Sequence, residues 1–180
     1  VVLTASYEAR PYGARSAMPM HRAKRLCPQA LIVPPRFERY QQVSKQIMDA
    51  FGTFSPLVEA LSLDEAFIDM TGSERLFGPP HVIGVRIKAA VREATGGLTA
   101  SVGISGTRYV AKVASGYQKP DGLTIVHPDD AREWLAPLGV EELWGAGAKT
   151  AARLRAAGYE AIGQIARADP EVLEIGRAHV

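Results

Sequence analysis

The chain is 180 residues long, 47% hydrophobic and 22% charged, an ordinary globular composition that fits neither collagen nor a low-complexity linker. Its aliphatic runs, such as Ala30-Leu31-Ile32-Val33, are far too short to span a bilayer, and its single Cys excludes a disulfide scaffold or a cysteine-built zinc cluster. The net charge of +2 is unevenly spread: residues 1–48 hold eight Lys/Arg against two acids (+6), which leaves −4 for the remainder and suits either a phosphate-rich partner or a solvated positive face.

Residues 1–6 read as a strand entered in mid-domain. There is no initiator Met and no signal pattern at Val1-Val2-Leu3, so the chain reads as an internal piece of a longer protein. A Gly/Pro-rich loop runs from Tyr7 to about Ala17. Pro19 suits the first turn of a short helix with Met20, Ala23, Leu26 and Cys27 on one face, and Pro28 ends it. Cys27 is expected in the core, in a reducing compartment. Leu31-Ile32-Val33 reads as a short buried strand closed by Pro34-Pro35. Phe37, Tyr40, Val43, Ile47, Met48 and Phe51 follow helical spacing, which predicts an amphipathic helix over 36–51.

Residues 57–70 carry a change of phase. Leu61 and Leu63 are apolar at odd positions, whereas Ile68 and Met70 are apolar at even ones. One straight strand cannot do this. Two strands meeting near Asp64-Glu65 can, as a hairpin or a bulge. A helix is predicted over 81–95, capped by Gly96-Gly97. A β-rich run follows at 98–104, then a helix from Thr107 to Gln118, a turn at Lys119-Pro120-Asp121-Gly122, and a strand at 123–126. The order β-β-α-β-α-β, with an earlier strand missing, suits an α+β fold with a split βαβ, ferredoxin-like sheet. From residue 127 the pattern turns helical, at 128–137, 139–143 and 148–157, with Gly145-Ala146-Gly147 joining the last two. The last seven residues, Glu174 to Val180, break the pattern and match the in-frame translation of a sequencing adapter, so 174–180 reads as a non-native tail.

Four places carry side chains suited to chemistry. Asp64 and Glu65 are adjacent carboxylates with no cation close in sequence, an arrangement that is costly unless it is exposed in a turn or shared by a divalent metal. The change of phase lets both aim at one point. Thr4, Tyr7 and Arg10 place a hydroxyl, a phenol and a guanidinium on one loop, either a grip for phosphate oxygens or ordinary surface groups. Lys119 is either a third phosphate contact or a turn lysine. Gly145 and Gly147, followed by Lys149 and Thr150, either bring the backbone and a helix N-terminus close to a phosphate or simply cap a helix. The histidines at 21, 81, 127 and 179 are scattered and suggest no metal site.

Taken in order, these segments resemble the Y-family translesion DNA polymerases, closest to the bacterial DNA polymerase IV branch. The resemblance is carried by Ala5-Ser6-Tyr7-Glu8-Ala9-Arg10, Ser16-Ala17-Met18-Pro19, Leu26-Cys27-Pro28 and Ser62-Leu63-Asp64-Glu65-Ala66-Phe67. It continues through Ser101-Val102-Gly103-Ile104-Ser105, Ala111-Lys112-Val113-Ala114-Ser115, Lys119-Pro120-Asp121-Gly122 and the segment from Gly145 to Ala151, covering residues 1 to about 173.

The resemblance implies fingers at 1–35, a catalytic palm at 36–126 and a helix–hairpin–helix thumb at 127–173. It implies that Asp64 and Glu65 are two of three acids holding two Mg²⁺ ions, and that Thr4, Tyr7, Arg10 and Lys119 bind the incoming deoxynucleoside triphosphate. Gly145, Gly147, Lys149 and Thr150 would hold primer–template DNA by its backbone. The implied activity is low-fidelity, template-directed lesion bypass in the bacterial cytoplasm, at the nucleoid. The third metal-binding Asp and the ribonucleotide screen belong to a segment before Val1, so the chain alone is expected to be inactive. A little-finger domain and a sliding-clamp contact are expected beyond residue 173. Thr107-Arg108 stands where the family has Asn-Lys. The alternative is a catalytically inactive paralogue acting as a DNA-binding adaptor in a mutagenesis complex. A nucleotide cyclase with the same palm topology has no reason to carry the fingers loop or the Gly145 hairpin.

Overall fold

A computed structural model of the chain describes residues 1–170 and residue 173. The tail expected at 174–180 lies outside the described residues. The chain forms two compact units, Val1–Gln42 and Val43–Val180.

In the first unit the expected strand at 1–6 does not form. Val2 makes a single-residue pairing instead, donating to the Met18 carbonyl at 2.8 Å and accepting from the Ala17 N–H at 2.9 Å. Its flanks, Val1, Leu3 and Thr4, are exposed, so no ladder extends from it. Buried Val2 packs with Met18 and Ala23 in a small core joined by Ala5 and Met20. Helix α1 spans Met20–Leu26 behind Pro19, and Cys27, whose N–H returns to the Ala23 carbonyl at 2.9 Å, closes it. Pro28 has no N–H and cannot continue it. Ala23 and Cys27, one turn apart, are buried, while His21, Arg22, Lys24 and Arg25 face solvent. The strand expected at 31–33 is also absent. Leu31 is 89% and Val33 66% exposed. Three apolar residues confined between prolines have β propensity but no neighbour to pair with, and propensity without pairing does not make a strand. Helix α2, Phe37–Gly52, begins in the first unit, has most of its residues in the second, and follows the predicted spacing.

Of the hairpin and the bulge that the change of phase allows, the second unit contains the hairpin. β1 (Val58–Ala60) and β2 (Ala66–Ile68) are antiparallel, with Val58 opposite Ile68 and Ala60 opposite Ala66. A short helix α3 (Glu74–Phe77) precedes α4 (Pro80–Thr95), which buries Ile83, Ile87 and Val91 at helical spacing and is closed by left-handed Gly96. β3 (Val102–Ile104), α5 (Arg108–Tyr117) and β4 (Leu123–Ile125) make a βαβ unit in which β3 and β4 are parallel. The element order is the predicted β-β-α-β-α-β, but among the described residues the strands pair as two separate two-stranded sheets.

Helix α5 lies flush on β3 because position 103 is glycine. A Cβ there would sit 2.1 Å from the Ala111 carbonyl oxygen and 2.3 Å from the Ser115 nitrogen. Val110 and Ala114 of α5 join Val126 in a core against Ala131, Trp134 and Leu135. The helical part continues with α6 (Ala131–Leu135), a 3₁₀ turn at Val140–Glu142, α7 (Ala148–Ala156) and α8 (Ile162–Ile165), the last not predicted. Among the described residues no helix is long and apolar enough to cross a membrane.

Candidate functional site

The loop between β1 and β2 is closed by the Glu65 carbonyl, which accepts from the N–H groups of Leu61 at 2.8 Å and Ser62 at 3.2 Å. The phase inverts at a hairpin turn, with Asp64 exposed in its loop and the half-buried Glu65 at the foot of β2. Ser62 Oγ donates to Asp64 Oδ1 at 2.8 Å and accepts from the Asp64 N–H at 3.3 Å, a local ring that holds the Asp64 side chain. Glu65 has a partner that its sequence neighbourhood does not contain: Lys112 Nζ lies 2.5 Å from Oε1. Their side chains are 22% (Lys112) and 40% (Glu65) exposed, so the pair is less screened than a surface pair. One turn earlier on α5, Arg108 pairs with Glu59 of β1 at 2.5 Å and lies 5.6 Å from the Phe67 ring. Helix α5 thus grips the hairpin at two points. Thr107, one of the two departures from the family pattern, is its N-cap, accepting from the Val110 N–H at 3.3 Å.

Beyond the hairpin, Asp69 accepts from the Thr71 hydroxyl at 2.6 Å and the Thr71 N–H at 2.9 Å. These bonds, with a smaller contribution from Arg108, hold its carboxyl below the usual carboxylate range. Trp144, just before Gly145, sets its ring 5.8 Å from Phe67 of β2 and 6.4 Å from Tyr109 of α5. Burial pushes the Tyr109 phenol up, offset in part by a bond to the Trp144 backbone. Gly145 takes a left-handed φ of +90°, and Gly147 is the N-cap of α7 with no side-chain cap. A Cβ at either glycine would meet nothing within 4 Å, so this stretch of backbone is open to approach. Lys149 and Thr150 are exposed in the first turn of α7. The element before Gly145 is a 3₁₀ turn, shorter than the helix predicted there.

Lys119 is exposed just past the C-terminal end of α5, while Arg108 and Lys112 belong to the helix's first half. Thr4, Tyr7 and Arg10 belong to the first unit and are exposed there. Arg10 stacks over Tyr7 at 4.1 Å, and its Nε donates to the Ala5 carbonyl at 3.2 Å, which pre-orders two of the three. The carboxyl of Glu8 between them is held down by its own backbone N–H and by Ser6.

Asp64 and Glu65 offer oxygen donors on one turn, the donor type of hard divalent cations. Among the described residues no cluster of three or more His, Cys, Asp or Glu is placed to hold a metal. Two carboxylates are still the protein share expected of a Mg²⁺ ion that keeps several waters and takes its other ligands from substrate phosphates.

Residues 1–116 match the IMS, impB/mucB/samB, family. The chain belongs to this family. It is 42% identical over 174 residues to a DNA polymerase IV of Treponema denticola, covering 97% of this chain and 44% of that protein. It is 46% identical over 173 residues to a DNA polymerase IV of Gluconobacter oxydans, covering 96% of this chain and 48% of that one. Among solved structures it is similar to DinB from Sulfolobus solfataricus, with a TM-score of 0.86 and 31% identity over 96% of this chain and 51% of that chain. It is also similar to the insertion ternary complex of Dbh DNA polymerase, with a TM-score of 0.83 and 30% identity over 96% and 50% of the two chains. This family member spans about half the length of the curated relatives it matches. Its mixed helix and strand architecture is that of Y-family polymerase structures, as the sequence motifs implied.

The anchoring of the hairpin by Arg108, Lys112 and Trp144 was not legible in the sequence. The signal for the first two is modest: two cations at i and i+4 on α5 face two acids six residues apart on a hairpin. Only the docking of the helix on the hairpin matches them.

Proposed function

We propose that this chain carries the catalytic part of a template-directed DNA polymerase that copies past lesions with low fidelity. The observation that carries the reading is the Asp64-Glu65 pair in the turn of a hairpin, where the loop enters β2, in a chain closely similar to DNA polymerase IV sequences. Residues 1–35 then act as fingers, 36–126 as a ferredoxin-like palm and 127–173 as a thumb with a helix–hairpin–helix. Asp64 and Glu65 would hold two Mg²⁺ ions, which when bound activate the primer 3′-hydroxyl and stabilise the departing pyrophosphate. Arg10 and Lys119 neutralise the triphosphate, and Tyr7 and Thr4 donate to its oxygens. Little covalent work falls to the protein in such a transfer, so fixed positive charge and orientation supply most of its contribution. The open backbone at Gly145 and Gly147, with Lys149 and Thr150, grips primer–template DNA by its phosphates, which sets register without reading sequence. The sliding clamp is a partner of the whole protein, and the bacterial cytoplasm, at the nucleoid, is its place of work.

The test is primer extension by the full-length protein against its Asp64→Ala variant at equal DNA-bound fraction. The expected loss is at least about a hundredfold in rate. Equal rates overturn the assignment of Asp64. DNA binding without extension by either protein favours the adaptor.

A further inference from the structure

The turn that carries Lys119 is fixed at both ends by backbone bonds. The Lys119 N–H donates to the Gly116 carbonyl at 3.4 Å, which ties the turn to the end of α5. At the other end the Gly122 N–H donates to Ser101 Oγ at 3.2 Å, and the Gly122 carbonyl accepts from Val102 at 3.0 Å. Gly122 is packed so closely that a Cβ there would lie 2.4 Å from the Gln118 carbonyl oxygen. The middle of the turn is held differently. Asp121, at a left-handed φ of +54°, is clasped by two cations of α4 one turn apart. Lys88 Nζ donates to the Asp121 carbonyl at 2.5 Å and lies 3.1 Å from Oδ1, an ion pair off the hydrogen-bonding axis. Arg92 Nη2 donates to Oδ2 at 3.2 Å. Lys88 is largely withdrawn from solvent, its side chain 20% exposed.

This clasp has two consequences for a lysine two residues away. A lysine on a loose turn loses backbone freedom each time it engages an anion, whereas a turn fixed beforehand has already lost it. An uncompensated Asp121 carboxylate beside Lys119 would also repel a phosphate chain, and Lys88 with Arg92 cancels that charge. We propose that Lys88 and Arg92 are positioning residues for Lys119, holding its turn rigid and free of net negative charge so that its ammonium meets the triphosphate of an incoming nucleotide. This inference rests on Lys119 as a nucleotide contact, and the test separates the two.

In the full-length protein, nucleotide KM and kcat are measured in primer extension for Lys88→Met, Lys119→Ala and the double variant, with primer–template affinity measured separately. Lys88→Met is expected to raise nucleotide KM about tenfold, with kcat and DNA affinity within about twofold. Lys88→Arg is expected to restore KM. In the Lys119→Ala background, Lys88→Met is expected to add less than about twofold, because its effect runs through Lys119. If Lys119→Ala raises KM and Lys88→Met multiplies that rise undiminished, the positioning role is overturned while the Lys119 contact stands. If Lys119→Ala leaves KM unchanged, the contact itself falls and takes the positioning role with it. Should Lys88→Met fail to fold, Arg92→Gln, at the more exposed arm of the clasp, enters the same cycle with the same two readings.

Discussion

In the turn between β1 and β2 an acid is presented at the tip and the lysine, Lys112, sits back on a helix. In the turn before β4 a lysine is presented and the acid, Asp121, is held by cations of another helix. Both turns are therefore fixed to a helix through a partly buried charge pair, and each leaves a charged neighbour exposed, Asp64 in one and Lys119 in the other. The difference lies in what does the holding. The hairpin turn also has strand pairing on both flanks, so its ion pair orients a side chain. The lysine turn has β pairing on one flank only, and there Lys88 also holds the backbone, donating to the Asp121 carbonyl. Loops can thus be ordered without regular backbone ladders when a helix supplies a counter-charge from which water is partly excluded.

Helix α5 serves both turns, carrying Lys112 on one and leading directly into Lys119 on the other. Its seat on Gly103 is where the comparison is most easily broken. Gly103→Ala forces a methyl into the Ala111 carbonyl and the Ser115 nitrogen, a clash with backbone that no rotamer relieves. Denaturant unfolding is expected to show a loss of about 2–3 kcal/mol. A loss under about 0.5 kcal/mol would mean that the helix does not lie this close to β3.

A smaller effect sharpens the role of burial. Lys112→Met is expected to cost about 1 kcal/mol, whereas Arg108→Met, which breaks the more exposed pair with Glu59, is expected to cost less than about 0.5 kcal/mol. Equal losses in thermal unfolding would show that exposure does not separate the two contacts. The smallest effect concerns Asp69, which is held chiefly by the neutral donors of Thr71. Its carboxyl titrates below the ordinary Asp value, so the stabilisation is present above that value and is lost as the pH falls through the lowered one. Carbon-detected NMR titration is expected to show a low midpoint that rises toward the usual range in Thr71→Val. An unchanged midpoint would rule out the hydroxyl bond as its main cause.

A break near Asp64-Glu65 was legible because the apolar phase at Leu61 and Leu63 cannot continue to Ile68 and Met70 in one straight strand, and the pairing of β1 with β2 decided for a hairpin over a bulge. Helices α2 and α4 were legible from apolar spacing, and the lysine turn from Lys119-Pro120-Asp121-Gly122. Leu31-Ile32-Val33 was misread because a strand is a property of a pair, and a run of apolar residues does not reveal whether a partner exists. Val2 was misread for the related reason that a single backbone pairing looks, in sequence, like the start of a ladder. Asp64 and Glu65 stand out in the sequence because they are adjacent. Their cation does not, because Lys112 lies 47 residues from Glu65.

What the chain's own order of residues settled is what neighbours settle among themselves: the helical periods, the turn beside the two adjacent acids, and the motifs that mark the family. Tertiary structure alone decided which charges meet. Lys112 reaches Glu65 across 47 residues, and Lys88 reaches Asp121 across 33. A lysine in a helix carries the same local signal whether it ends in water or against a carboxylate. The choice is made by the packing of α4 and α5, which brings the partner near and excludes enough water for the attraction to outweigh the cost of desolvation and ordering.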